Sequence, residues 1–208
     1  MEQSVQPLDV PTPIDFRLMT DATEWERTAL EKRPNRPQVF DAFASELLAL
    51  GKPNLKVLEL GSGPGFLAQH LLARIPTMHL TLLDFSDAMH TLAKLRLGSR
   101  AEQTTFLTRS FKEPQWAEGL AHFDAVVTNQ AVHELRHTRH AEALHRQVGQ
   151  VLKKGGVYLV CDHFFGEGGL SNDQLYMTIE EQQRTLERAG YDVKPILKSG
   201  SLMLYRAT

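Results

Sequence analysis

The stretch VLELGSGPGF, residues 57–66, limits what this chain can fold into more than any other. An apolar run holding one acid, Glu59, breaks into three glycines, Gly61, Gly63 and Gly65. Apolar residues then resume at helical spacing with Phe66, Leu67, Leu71 and Leu72. This order predicts a buried strand, a tight turn and a helix. Glycine suits such a turn because the backbone enters φ/ψ regions closed to residues with a Cβ, and because a ligand can approach bare backbone. The following helix directs unpaired N–H groups into the turn. The turn is thus either a nucleotide-type site or merely a tight strand–helix connection, and the rest of the chain has to decide.

Strand and helix patterns alternate beyond it. Strands are expected at Leu80–Phe85, Thr104–Phe111, Phe123–Val132 and Gly155–His163, the last after a Lys-Lys-Gly-Gly turn. Ser86 or Asp87 can cap a helix through Leu97, and a polar, His-rich helix is expected between the fourth strand and Leu152. A Gly-rich loop follows His163. Thr178 and Glu181 form a capping box for a helix to Ala189, and a hairpin of Tyr191–Leu197 and Ser201–Arg206 closes the chain. Upstream, residues 1–14 carry three prolines and read as an extended arm. Helices are expected over 21–33, with Asp21 as N-cap and PNRP at 34–37 as the stop, and from Gln38 to Leu50. The predicted fold is α/β: a doubly wound, mostly parallel seven-stranded sheet with a terminal antiparallel hairpin strand and helices on both faces. Residues 1–50 form an arm and two helices, candidates for a lid or substrate wall, and 51–208 form the Rossmann-like domain.

Composition narrows the partners. A net charge of −2 gives no field that would gather nucleic acid or an anionic membrane. No run approaches the length of a membrane span, and the N-terminus lacks the basic start and apolar core of a signal peptide. The single cysteine, Cys161, fits a reducing compartment, so a cytoplasmic protein is expected. Oligomeric state is not legible.

A dinucleotide fingerprint needs glycine at its first, third and sixth positions, whereas the sixth here is Phe66. No Gly-Lys-Ser/Thr ends the turn, as a phosphate-binding loop requires. Glu59 within the strand is ill suited to a pyrophosphate and well suited to a cationic amino or sulfonium group. Asp84 ends the second strand, at the carboxyl edge where ligands of open α/β sheets bind, and can accept both hydroxyls of a ribose. Its other reading is a helix cap, a role Ser86 or Asp87 can fill.

With these residues in place, the chain resembles the class I S-adenosylmethionine-dependent methyltransferases. The matching stretches are VLELGSGPGF (57–66), LTLLDFSDAM (80–89), FDAVVTNQAVHEL (123–135) and LKKGGVYLVCDH (152–163), followed by TIEEQQRTLERAGYDV and the hairpin. The resemblance implies S-adenosyl-L-methionine as cofactor and a small-molecule acceptor. It implies that Glu59, Gly61, Ser62 and Gly63 border the methionine moiety, and that Asp84 holds the ribose. Phe85 and Met89 would pack near the adenine, and Asn129 and Gln130 would face the methionine and the acceptor. The family's acid after the third strand is absent, leaving Ser110 to hydrogen-bond the adenine and Phe111 to stack on it.

His133 and His163 lie just past the fourth strand and at the end of the fifth, at the edge where an acceptor should sit, and are the candidate bases. Asp162 is adjacent to His163, but neighbouring strand residues point to opposite faces, which argues against a simple pair. HELRH at 133–137 also spells the zinc metallopeptidase signature, and on a helix His133, His137 and His140 would share a face. Its position at a strand end is the wrong setting, and no metal is expected. Zinc metallohydrolase, NAD(H)-dependent oxidoreductase and non-catalytic S-adenosylmethionine-binding protein are the alternatives.

Overall fold

A computed structural model describes residues 8–29, 31–32, 35–120 and 122–208. Helices α1 (Met19–Ala29) and α2 (Arg36–Leu48) precede β1 (Lys56–Leu60), α3 (Phe66–Arg74), β2 (His79–Asp84), α4 (Asp87–Leu97), β3 (Thr105–Thr108) and β4 (Phe123–Asn129). Then come α5 (Ala141–Val151), β5 (Leu152–His163), α6 (Ile179–Arg188), β6 (Val193–Ser199) and β7 (Leu202–Ala207). The strands form one seven-stranded sheet in the order β3-β2-β1-β4-β5-β7-β6. The first five are parallel, and β7 runs antiparallel between β5 and β6.

The strands are continuous apolar runs because both faces are covered. Successive side chains alternate, so Val57 joins the core under α2, α3 and α4 while Leu58 joins the core under α5 and α6. Phe43, Ala44 and Leu47 of α2 are fully buried in the first of these cores. Deleting such a side chain as Phe43 typically costs about 3–5 kcal/mol. Helix α2 is therefore bound into the domain, while Arg36 and Phe40 at its start line a cavity above the sheet. The Thr178–Glu181 capping box forms as read, and Ser86 caps α4 by accepting the Met89 N–H.

Several expected boundaries move. Helix α1 begins at Met19, and Asp21 in its first turn accepts the Asp15 N–H. The expected continuation of that helix at 30 and 33, the stop at 34 and the first seven residues of the arm lie outside the described residues. Pro37 sits in the first turn of α2, where its missing N–H costs nothing. The Lys-Lys-Gly-Gly segment is a register break inside β5: Phe123 pairs with Leu152 and Ala125 with Val157. The His-rich helix does not follow β4 directly. Residues 132–140 form two short 3₁₀ turns, and the chain reverses at Arg136, where φ is 68°.

Candidate cofactor and acceptor site

Strand order reverses between β1 and β4, and at that switch point the carboxyl ends of the strands open into a cavity of about 450 Å³. Its floor is the turn read from sequence. Gly61, Gly63 and Gly65 all have positive φ. A Cβ on Gly61 would stand 2.5 Å from the Cβ of Ala131, whereas one on Gly63 would meet nothing within 4 Å. Gly61 is thus needed for space as well as conformation. The N–H groups of Gly61 and Ser62 bond the Leu83 carbonyl, tying the turn to β2.

Asp84 holds this corner together. One carboxylate oxygen accepts the Gly63 N–H at 2.8 Å and the other the Ser86 N–H at 3.0 Å. Burial raises its pKa, partly opposed by those two donors. Glu59 is buried, and its pKa is pushed up to about 8, by burial first and then by the charge of Asp84. Its Oε2 makes no hydrogen bond among the described residues, nor do Ser62 Oγ, Asn129 Oδ1 or Gln130 Nε2. An acid and an amide oxygen left unsatisfied on one cavity wall are acceptors that an ammonium group could satisfy.

The cavity brings together Glu59, Gly61, Ser62, Gly63, Asp84, Phe85, Met89, Ser110, Phe111, Asn129 and Gln130, together with His133. Ser110 Oγ accepts the Lys112 N–H at 3.3 Å, so its hydroxyl proton is left for a ligand acceptor.

His163 is not among these residues. It faces a second, small cavity of about 20 Å³ behind the large one. Its Nδ1 contacts Ser201 Oγ at 2.8 Å, and its ring lies 5.7 Å from that of His133. The loop 164–177 covers this end of β5 through the Phe165–Met177 backbone bond and places Tyr176 on the large cavity, 5.4 Å from the ring of His133. Of the two candidate bases, His133 lines the large cavity and His163 does not.

The carboxylate of Asp162 accepts the backbone N–H of its neighbour His163 at 2.7 Å, while the His163 ring contacts Ser201 instead. The same carboxylate turns to His133, taking the imidazole Nδ1 at 2.6 Å and the His133 backbone N–H at 2.8 Å. Burial opposes charge on His133, but Asp162 and, more weakly, Glu134 outweigh it and raise the imidazole pKa. Asp162 is correspondingly held low by His133, against its own burial. The other ring nitrogen, Nε2, stands 3.5 Å from Glu134 Oε1.

The HELRH segment does not form the helical face that zinc binding would need. His137 accepts the Arg139 N–H, and His140 bonds Asp9 at 2.9 Å. Among the described residues no group of three or more His, Cys, Asp or Glu side chains could hold a metal ion. No helix of the described residues is long and apolar enough to cross a membrane.

Sequence reasoning offered residues 1–50 as a lid or substrate wall, and residues 12–17 do roof the cavity, but it singled out no residue there and missed the cationic wall at Arg36. Arg36 reaches the Gln130 carbonyl oxygen at 3.4 Å and stacks over Trp25 and Phe66. No motif marks these positions, because they belong to elements folded over the sheet from outside it.

The parallel sheet with its reversed last strand is a fold shared with solved methyltransferase structures, in line with the likeness to the class I S-adenosylmethionine-dependent methyltransferases read from the sequence. Residues 57–156 match the family described as methyltransferase domain. Over 177 residues the chain is 26% identical to a malonyl-[acyl-carrier protein] O-methyltransferase of Geobacter sulfurreducens, covering 78% of this chain and 63% of that protein. A shorter match, 30% identical over 121 residues, relates 52% of this chain to 45% of the namesake from Haemophilus ducreyi. The chain thus spans less than two thirds of these relatives. An O-methyltransferase family protein from Burkholderia thailandensis shares the fold, with a TM-score of 0.75 and 18% identity over 93% of this chain and 61% of that one.

Proposed function

We propose that the protein binds S-adenosyl-L-methionine and catalyses transfer of its methyl group to a small-molecule acceptor. The observation that carries this reading is the pairing of Glu59, with its unsatisfied buried oxygen, and Asp84 on one wall of the cavity at the switch point. Asp84 would hold the ribose hydroxyls. Glu59 and Asn129 would take the ammonium, with Gly61, Ser62, Gly63 and Gln130 around the methionine chain. Phe85, Met89, Ser110 and Phe111 would enclose the adenine. When bound, S-adenosylmethionine would supply the methyl group and keep the electron pair of the carbon–sulfur bond.

What the chain supplies is alignment and a place for the proton. His133 is the base in this reading: it takes the acceptor's proton at Nε2 while Asp162 fixes the proton already on Nδ1. A buried base oriented by a carboxylate favours an acceptor that must lose a proton, such as a hydroxyl. The O-methyltransferase names of the relatives support an oxygen acceptor. The acceptor walls would be residues 11–36, 131–140 and 163–177, with His163 supporting the last from behind. The balanced surface charge supports a small molecule over nucleic acid, and the single buried Cys161 supports a cytoplasmic setting.

Calorimetry with S-adenosylmethionine, S-adenosylhomocysteine and NADH tests the proposal. The two sulfur compounds should bind, and Asp84→Ala should weaken both at least about tenfold, the worth of a lost charged hydrogen-bond acceptor. Binding of NADH alone, or of none of the three, would overturn it.

A further inference from the structure

Three side chains of the HELRHTRH segment hold one neighbouring stretch of chain. Arg136 is only 8% exposed and sits in a left-handed backbone conformation with φ 68°, rare for a residue with a long side chain. Its Nε donates to the Val10 carbonyl at 3.0 Å and its Nη2 to the Pro11 carbonyl at 2.7 Å, while its own carbonyl accepts the Val10 N–H at 2.9 Å. Three residues on, Arg139 and His140 both reach the carboxylate of Asp9. At the far end, Ser86 Oγ donates to the Phe16 carbonyl.

The strap 8–17 is thus pinned at Asp9–Pro11 and again at Phe16, and Thr12 to Arg17 line the cavity. Beneath it, Glu59, Ser62 and Asp84 are each no more than 5% exposed. The strap and those three groups line one cavity. The same short turn that grips the strap carries His133, three residues before Arg136.

We propose that Arg136 is a positioning residue: it seats the strap over the cavity and ties that roof to the turn bearing the base. Release of a nucleoside product then requires Arg136 to let go of Val10 and Pro11. The identity of that product rests on the function proposed above; the seating of the strap does not.

The test uses Arg136→Gly, since glycine adopts a φ of 68° without strain and the turn itself should survive. Arg136→Lys keeps the charge but loses the planar fork that bonds two carbonyls at once. Hydrogen exchange in the wild type and both variants should show the Val10 amide exchanging at least tenfold faster in each, with β1 and β4 amides unchanged. S-adenosylhomocysteine should leave the glycine variant at least tenfold faster in a stopped-flow displacement. Unchanged Val10 exchange, or faster exchange with an unchanged dissociation rate, would overturn the proposal. If S-adenosylhomocysteine fails to bind the wild type, the proposed function falls and the exchange measurement alone decides the role of Arg136.

Discussion

At the level of single residues, the site depends on contacts between groups far apart in sequence. Asp162 and His133 stand 29 positions apart and meet because β4 and β5 are neighbours in the sheet. Reading along β5 finds only the adjacent His163, whose backbone N–H bonds Asp162 while its ring turns away. The pairing makes a clear prediction. Asp162 raises the pKa of His133, so replacing it by Asn should lower the imidazole pKa. The limb of a pH–rate profile that reports deprotonation of the base should move to lower pH. The plateau should also fall, on the order of 10²-fold or more, because the ring loses its orienting carboxylate. Titration of the His133 ring by NMR follows the first effect without turnover; no acidward shift would refute the pairing's electrostatic role.

At the level of elements, the β1 turn was the most legible part of the chain. Its glycines, the ending of β2 at Asp84 and the cap at Ser86 follow from local stereochemistry, and local rules are what a sequence displays. The same reading failed over 132–140, where apolar spacing and polar residues suit a helix. Contacts with the strap and with β5 instead hold the segment in 3₁₀ turns about Arg136, and tertiary bonds outweigh weak local preference.

The turn also offers a matched pair of substitutions. Gly63→Ala suffers only its positive φ of 53°, a cost of about 1 kcal/mol. Gly61→Ala adds a Cβ 2.5 Å from that of Ala131, which brings the cost to about 3 kcal/mol and displaces the segment leading to His133. Urea denaturation of both variants checks the ranking; equal costs would show that the β1–β4 approach is looser than its geometry.

For the whole molecule, the consequence of burying the acid Glu59 is a stability that depends on pH in an unusual direction. Folded Glu59 keeps its proton up to about pH 8, whereas its ordinary pKa is 4.5. Between these values the folded chain holds this proton and the unfolded one does not, so the Glu59 contribution to stability falls as pH rises and levels off above pH 8. Asp84, also raised, acts in the same sense. Asp124 acts oppositely: burial would raise it, but the Lys56 amide and the Lys153 and Lys52 side chains hold it at about 2. Its contribution is complete above its ordinary value of 3.8 and adds no slope near neutrality. Glu59→Gln should therefore flatten the decline in melting temperature between pH 5 and pH 8. An unchanged slope would mean that Glu59 is already ionised in the free protein.

The sheet carries its own chemical clock. Cys161, the single cysteine of the sequence, lies fully buried on β5 between β4 and β7, and burial raises its thiol pKa well above the ordinary value. A thiol in that state is inert to alkylating reagents until the strands around it part. The rate at which such a reagent consumes the protein therefore counts openings of the middle of the sheet, with no label to introduce and no competing thiol to subtract.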